Sequence, residues 1–517
     1  MTCASSLDRA HERLALQARL DAAKTQAERN RLGQFATPDA LAQDILDYAN
    51  TLLPDNAPIR FLDPAIGTGA FYAALRNGYP ASRIQTARGY EIDPHYGNPA
   101  TTLWRDGRLD LRIADFTNQT PEAAFNLLIC NPPYVRHHHL SREQKARLQQ
   151  TSLAASGVQL SGLSGLYCHF LAQSHAWMSE GGIAGWLIPS EFMDVNYGQA
   201  IKRYLLERVT LLHIHRFDPA DVQFADALVS SAVVWFRKSP PPQHHQVMFT
   251  FGGTLAEPTQ CRHVCVSTLA KESKWTRFPV AAERTRPADG VVSDFFTIKR
   301  GIATGDNDFF ILDEDTLTKR DLPKDVFRPI LPSPRHIKAN EIIADTNGIP
   351  LLDKRLFLLD ADLPEEHISQ RYPTLHRYLQ EGREQGLPER YLCRHRKRWY
   401  AQEKRAAAPI VCTYLGRSDS KDKRPFRFIL NHSSATVANV WLAMYPTLAM
   451  QQAMQIKPDI LRQVWQILNS INPEQLLGEG RVYGGGLHKL EPKELGNVPV
   501  PDLVQMLPLP EQAELAF

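Results

Sequence analysis

From about residue 59 the chain alternates short apolar runs with helix-patterned segments, and four of the runs end on glycine or on a polar residue. IRFLD leads into the turn PAIGTG and the helix AFYAALRN, closed by Gly78, and strands around TARGYEID, LDLRIADF and FNLLICNPPY follow. The helix LYCHFLAQSHAWM then turns at Gly181 and Gly182 into IAGWLIP, and VTLLHIHRF and LVSSAVVWF add two further runs. Strands separated by helices cannot all pair as hairpins, so the pattern predicts an open, mainly parallel α/β sheet, Rossmann-like in its winding. In such a sheet ligands bind beyond the carboxyl ends of the strands, which makes the polar residues there the first candidates for function.

The rest of the chain is organised around that region. At 517 residues and 43% hydrophobic content it can bury more than one core. Residues 1–31 read as one charged amphipathic helix, and GQFATPDALAQDILDYAN reads as another, with Thr37 at the N-cap and Pro38 at the first helical position. The Pro-rich, polar stretch 238–246 has the composition of a linker. The expected domains are therefore a helical extension over 1–32, an α/β domain over 33–240, and a mixed α+β domain over 246–517. Seven scattered cysteines do not make a disulfide framework, and neither an export signal nor a membrane-spanning run is legible, so a cytoplasmic protein is expected. A net charge of +3 decides nothing about nucleic acid, since any basic surface has to be local.

Each strand end carries its own chemistry. After Asp63 and Ala65, the missing side chains of Gly67 and Gly69 let a ligand approach the backbone beside a helix start. Glu91 follows by about twenty residues, the spacing at which an acid holds the ribose hydroxyls of a nucleotide-like cofactor. Asp115 offers a carboxylate to an exocyclic amine, and Phe116 offers a ring to a purine. The last strand ends in Asn131, Pro132, Pro133 and Tyr134. An adenine amino group is a poor nucleophile because its lone pair is delocalised into the ring. The Asn131 side-chain oxygen and the Pro132 carbonyl can each accept one of its hydrogens and localise that pair. Consecutive prolines stiffen the segment, and Tyr134 gives a flat face to an extruded base.

This ordered set resembles the S-adenosylmethionine-dependent N6-adenine DNA methyltransferases of type II restriction-modification systems, in the arrangement where cofactor motifs come first and target recognition is C-terminal. The likeness runs from Gly33 to about Phe236 and more loosely beyond. It implies that Thr37 closes over the methionine end of the cofactor and that Asp63, Ala65, Gly67 and Gly69 form its floor. By the same likeness Glu91 binds the ribose, Asp115 accepts from the cofactor adenine and Phe116 stacks on it. Asn131 to Tyr134 would be the catalytic tetrapeptide, and Phe224 would pack the other face of the flipped base. The implied partners are double-stranded DNA and a separate cognate restriction endonuclease. Protein glutamine N5-methylation and RNA adenine methylation use the same chemistry and remain alternatives, as does a non-catalytic DNA-binding protein.

Other signals are weighed against this reading. His137, His138 and His139 on an extended segment cannot all face one ion, and methyl transfer from a sulfonium needs no metal, so no metal site is expected. Cys261 and Cys265 lack a second pair at zinc spacing and read as a buried or loop pair. Cys130 lacks the Pro-Cys context of a C5-methylating nucleophile and reads as core. In the C-terminal half, residues 390–405 hold seven Lys or Arg against one acid, with Trp399 and Tyr400 between them. Arg394, Arg396, Lys397 and Arg398 are the candidate phosphate contacts, with the aromatics as stacking surfaces. No nuclease pattern is evident in a separate domain.

Overall fold

The computed structural model describes residues 6–105, 107–218, 230–279, 290–417, 424–483 and 487–506. The chain divides into two compact units, Met1–Glu283 with Tyr483–Gly485, and Arg284–Val482 with Gly486–Phe517.

The first unit opens with α1 (Ser6–Ala22), α2 (Gln26–Leu32) and α3 (Asp39–Leu52). The single helix expected over 1–31 is thus two. Thr25 starts the second with a capping box to Glu28, and Gly33, at φ 64°, ends it. There follow β1 (Ile59–Asp63), α4 (Ala70–Gly78), β2 (Ile84–Glu91), α5 (Pro94–Leu103), β3 (Leu109–Ile113) and β4 (Phe125–Cys130). Then come α6 (Arg142–Ser156), α7 (Leu166–Ser174), β5 (Met178–Pro189), α8 (Gln199–Glu207), β6 (Thr210–Arg216), β7 (Ser231–Arg237), β8 (Gln246–Gly253) and β9 (Pro258–Cys265).

These strands form one nine-stranded sheet in the order β3-β2-β1-β4-β5-β7-β6-β8-β9. It is parallel except that β7 runs against β5 and β6, and β9 against β8. The strand order reverses between β1 and β4, so the turns after these two strands flank the crevice where such sheets bind ligands. Strand periodicity sends alternate side chains to two separate cores. Phe61, Leu127 and Ile129 pack on the side of α3 and α4, while Leu62, Leu128 and Cys130 pack on the side of α7.

The boundary expected at 240–246 falls inside this sheet. β8 pairs with β6 directly after the Pro-rich stretch, and the first unit continues to Glu283. Prolines cannot join a ladder, so a crossover within a sheet and a linker between domains look alike in composition. Cys261 and Cys265 also differ from expectation, being exposed on the edge strand β9 rather than buried or in a loop.

The second unit is mixed α+β. A five-stranded sheet joins Phe296–Arg300, Trp441–Pro446, Ile410–Thr413, Phe428–Asn431 and Glu341–Ile342 in that order. A four-stranded sheet joins Ile311–Asp313, Leu356–Leu359, Phe327–Leu331 and Thr436–Val437. Among the described residues no helix is long and apolar enough to cross a membrane.

Candidate active site

The ends of β1, β2, β3 and β4 enclose a cleft of about 490 Å³, lined among others by Ala65, Gly67, Glu91, Asp115, Phe116, Asn131 and Pro133. The sequence reading therefore brought together residues that the fold does gather. The two glycines have separate causes. Gly67 has φ 57° and nothing within 4 Å of where a Cβ would stand, so its bareness leaves room on the cleft wall. At Gly69, φ 93°, a Cβ would lie 2.6 Å from the Trp104 indole nitrogen; this glycine makes space for packing, not for a ligand.

Glu91 is 9% exposed, and its oxygens accept from the Gly67 amide at 3.1 Å and the Asp93 amide at 2.8 Å. Burial raises its pKa to about 7. Asp63 is 1% exposed, accepts from the Ala65 amide at 3.1 Å, and is raised to about 8 by burial, with the nearby Glu91 charge adding to the effect. Asp63 shapes the turn without lining the cleft.

Asp115 caps the short turn that follows β3. It accepts from the Thr117 amide at 2.9 Å, the Thr117 hydroxyl at 2.7 Å and the Asn118 side-chain amide at 2.9 Å. The Arg147 guanidinium lies 3.7 Å away. Phe116 is held by Trp177, Phe170 and Tyr90, with ring centroids 5.2, 5.4 and 5.6 Å away. Three aromatics thus fix the plane of a ring that borders the cleft.

The tetrapeptide after β4 is clasped by the segment after α2. The Tyr134 amide donates to the Gly33 carbonyl at 3.2 Å, and a Cβ on Gly33 would lie 2.4 Å from that amide nitrogen. Close approach and positive φ both require glycine there. The Tyr134 ring lies 5.6 Å from Phe35, and its hydroxyl donates to the Leu187 carbonyl at 3.1 Å. Burial holds this phenol well above its usual pKa. Pro132 and Tyr134 do not line the cleft; Asn131 and Pro133 do.

Asn131 is the most telling side chain. Its Nδ2 donates to the Phe35 carbonyl and to the Thr37 hydroxyl, both at 3.1 Å. A backbone carbonyl only accepts, so the amide cannot be reversed, and its Oδ1 is left buried with no donor among the described residues. Thr37 is not the helix cap that the sequence led us to expect. Pro38 occupies the N-cap, where its side chain has no polar atom to offer, and the Thr37 hydroxyl instead accepts from Asn131. Phe224, expected beside the target base, lies outside the described residues.

Cys130 is buried, and burial beside Asp63 pushes its thiol far up, which keeps it protonated. His137–His139 form a short 3-10 turn, and no metal-holding group of three or more His, Cys, Asp or Glu occurs among the described residues. Sequence reasoning missed Gln17 and Asp21 of α1, Ile92 and Tyr96, which also line the cleft. Ile92 had a signal, an apolar residue directly after the acid; it is 62% exposed. Gln17 and Asp21 had none.

The basic segment of the second unit needs correction. Trp399 and Tyr400 are buried in its core and cannot stack on a base. Arg396 donates to the Ala303 carbonyl at 2.8 Å and lies over Phe310, and Arg398 is paired with Asp362. Arg394 and Lys397 are exposed, as is Tyr391, whose ring lies under Arg394.

Comparison with known proteins by sequence points to one family. Residues 100–223 match the model of the Eco57I restriction-modification methylase, and residues 274–515 that of the C-terminal domain of type II methyltransferase M.Eco57I. The chain is 27% identical over 484 residues to type II methyltransferase M.XamI of Xanthomonas campestris pv. amaranthicola, covering 92% of this chain and 86% of that one. It is 25% identical over 493 residues to M.AccI of Acinetobacter calcoaceticus, with the same coverage. A solved structure of the type IIL restriction-modification enzyme MmeI in complex with DNA is 13% identical, with a TM-score of 0.49 over 84% of this chain and 62% of that one.

Proposed function

We propose that this chain, which belongs to the type II restriction-modification DNA methyltransferases, methylates N6 of an adenine flipped out of duplex DNA. The modification protects the site from a separate cognate restriction endonuclease in the cytoplasm. The observation that carries the reading is the Asn131 Oδ1, a buried acceptor with no donor among the described residues, in a side chain locked by Phe35 and Thr37. An orphaned acceptor costs about 1–3 kcal/mol, and an incoming NH₂ group removes that cost.

S-adenosyl-L-methionine is the expected cofactor and, when bound, supplies an electrophilic methyl group on a sulfonium. The residues of the cleft fit it. Glu91 would hold the ribose, Asp115 the adenine amine and Phe116 the adenine ring, with Ala65 and Gly67 as the floor. Asn131 Oδ1 and the Pro132 carbonyl accept the two hydrogens of the target amine and turn its lone pair toward the cleft. Pro133 keeps the segment stiff, and Tyr134 stacks on the base. Thr37 acts on Asn131, as a positioning residue.

Labelled-methyl transfer to duplex DNA followed by nucleoside analysis tests this. The label is expected in N6-methyladenine, and Asn131→Ala is expected to retain cofactor binding while losing turnover on the order of 100-fold. Label in 5-methylcytosine, in RNA alone or in glutamine, or undiminished turnover of the variant, overturns the reading.

A further inference from the structure

The N-terminal helix forms part of the cleft. Gln17 and Asp21, one turn apart on α1, both line it. They also tie together the two loops that hold Glu91. On one side, the Gly67 amide donates to Glu91, and the next residue, Thr68, donates through its hydroxyl to Gln17 Oε1 at 2.6 Å. On the other side, α5 packs on Glu91 through Gly97, where a Cβ would stand 3.4 Å from the Glu91 Cγ. The neighbouring Tyr96 donates its hydroxyl to Asp21 Oδ1 at 2.9 Å. Gln17 Nε2 donates to the same Oδ1 at 3.0 Å and closes the chain. A buried arginine of the same helix, Arg13, donates to the Thr68 hydroxyl oxygen at 3.1 Å, so α1 is fastened where these side chains need it.

Two donors converge on one oxygen of Asp21, and no described residue donates to the other, Oδ2. A carboxylate oriented in this way beside the cleft is an acceptor for a ligand hydroxyl. Glu91 already spends one lone pair of each oxygen on backbone amides. A vicinal diol brings two hydroxyls to this corner. We propose that Asp21 is a second ribose-binding carboxylate, taking one hydroxyl of the cofactor's diol while Glu91 takes the other. This rests on the assignment of Glu91 to the ribose.

The test is calorimetric titration of the full chain with S-adenosylhomocysteine and with its 2′-deoxy and 3′-deoxy forms. Asp21→Asn is expected to weaken the parent ligand on the order of 10-fold, the cost of a charged hydrogen bond. The penalty should vanish for the one deoxy form that lacks the hydroxyl Asp21 takes. Equal weakening of all three ligands would mean that Asp21 only fastens the helix, and no weakening would mean that it touches nothing; either overturns the proposal. Glu91→Gln is measured in parallel. If it binds all three ligands as the parent does, the ribose assignment itself falls; if it weakens them while Asp21→Asn does not, only the present proposal falls. Should Asp21→Asn fail to fold, Tyr96→Phe decides. It removes one hydroxyl that orients Asp21 and should weaken the parent ligand by roughly 3-fold, again only while the relevant hydroxyl is present. A loss uniform across the three ligands overturns the proposal here too.

Discussion

Asp63 and Glu91 end neighbouring strands, and burial raises the first to about 8 and the second to about 7. A raised folded pKa means that the unfolded chain binds fewer protons at intermediate pH. The contribution of these acids to stability is thus fully present below about pH 4 and is lost as pH rises through 7 to 8. Glu91 lines the cleft, and a hydroxyl donated to it by a bound ribose would favour its carboxylate. Cofactor binding at pH 6 should therefore release about one proton, detectable as a difference in heat between buffers of unlike ionisation enthalpy. Equal heats in the two buffers would show that both acids keep their protons. The acids, the Gly67 turn and Asn131 were legible because strand-end placement and residue type are local properties. The purpose of Gly69 was not, because it depends on Trp104, which is distant in sequence and meets it only after folding. Asp21 was hidden for the same reason: on a charged helix one more acid is ordinary, and only its contact with Tyr96 distinguishes it.

At the scale of elements, helix and strand alternation was read correctly from periodicity, whereas the role of the basic segment was not. Charge density in sequence does not distinguish an arginine that faces solvent from one whose donors are used by the protein. Arg396 is half-buried, donates to Ala303 and covers Phe310, so Arg396→Ala should lower the unfolding midpoint by several degrees, about 1–3 kcal/mol of hydrogen bonding and packing. It should leave the salt dependence of DNA binding unchanged. Arg394 and Lys397 are exposed, and replacing both with glutamine should keep the melting curve while reducing the slope of log affinity against log salt by up to ~0.9 per phosphate contact. A thermal melt and a salt titration of each variant separate the two cases. An unchanged slope after loss of Arg394 and Lys397 would remove this segment from the DNA interface.

For the whole molecule, the place where the first unit stops matters more than where its composition changes. A chain cut at residue 240 loses β8 and β9 and bares the side of β6 that pairs with β8, an open hydrogen-bonding edge prone to pairing with other chains. A chain cut at 283 keeps the sheet whole. The shorter fragment is expected to aggregate and the longer one to remain monodisperse, as size-exclusion chromatography of the two would show. Equal behaviour would mean that β8 and β9 are dispensable to the sheet. The sequence led to three segments, 1–32, 33–240 and 246–517, whereas the contacts divide the chain into two units and place residues 1–32 within the first. The border between the units was not legible, because two Pro-containing polar stretches compete, 238–246 and 279–290, and composition does not tell which is the strand crossover and which the border.

The fastening of α1 also bears on the order in which the protein is made. Its partners are Thr68, Tyr96 and the Leu103 carbonyl, which accepts from Arg9 at 2.8 Å, and all of them are synthesised after it. At about 5–20 residues per second, translation reaches Leu103 several seconds after α1 is complete. During that interval Thr68 is made before Tyr96 and Leu103, so the helix gains its partners one after another. α1 therefore takes its place on the cleft wall only when chain well downstream of it has been made, because Tyr96 and the Leu103 carbonyl are among the groups that seat it.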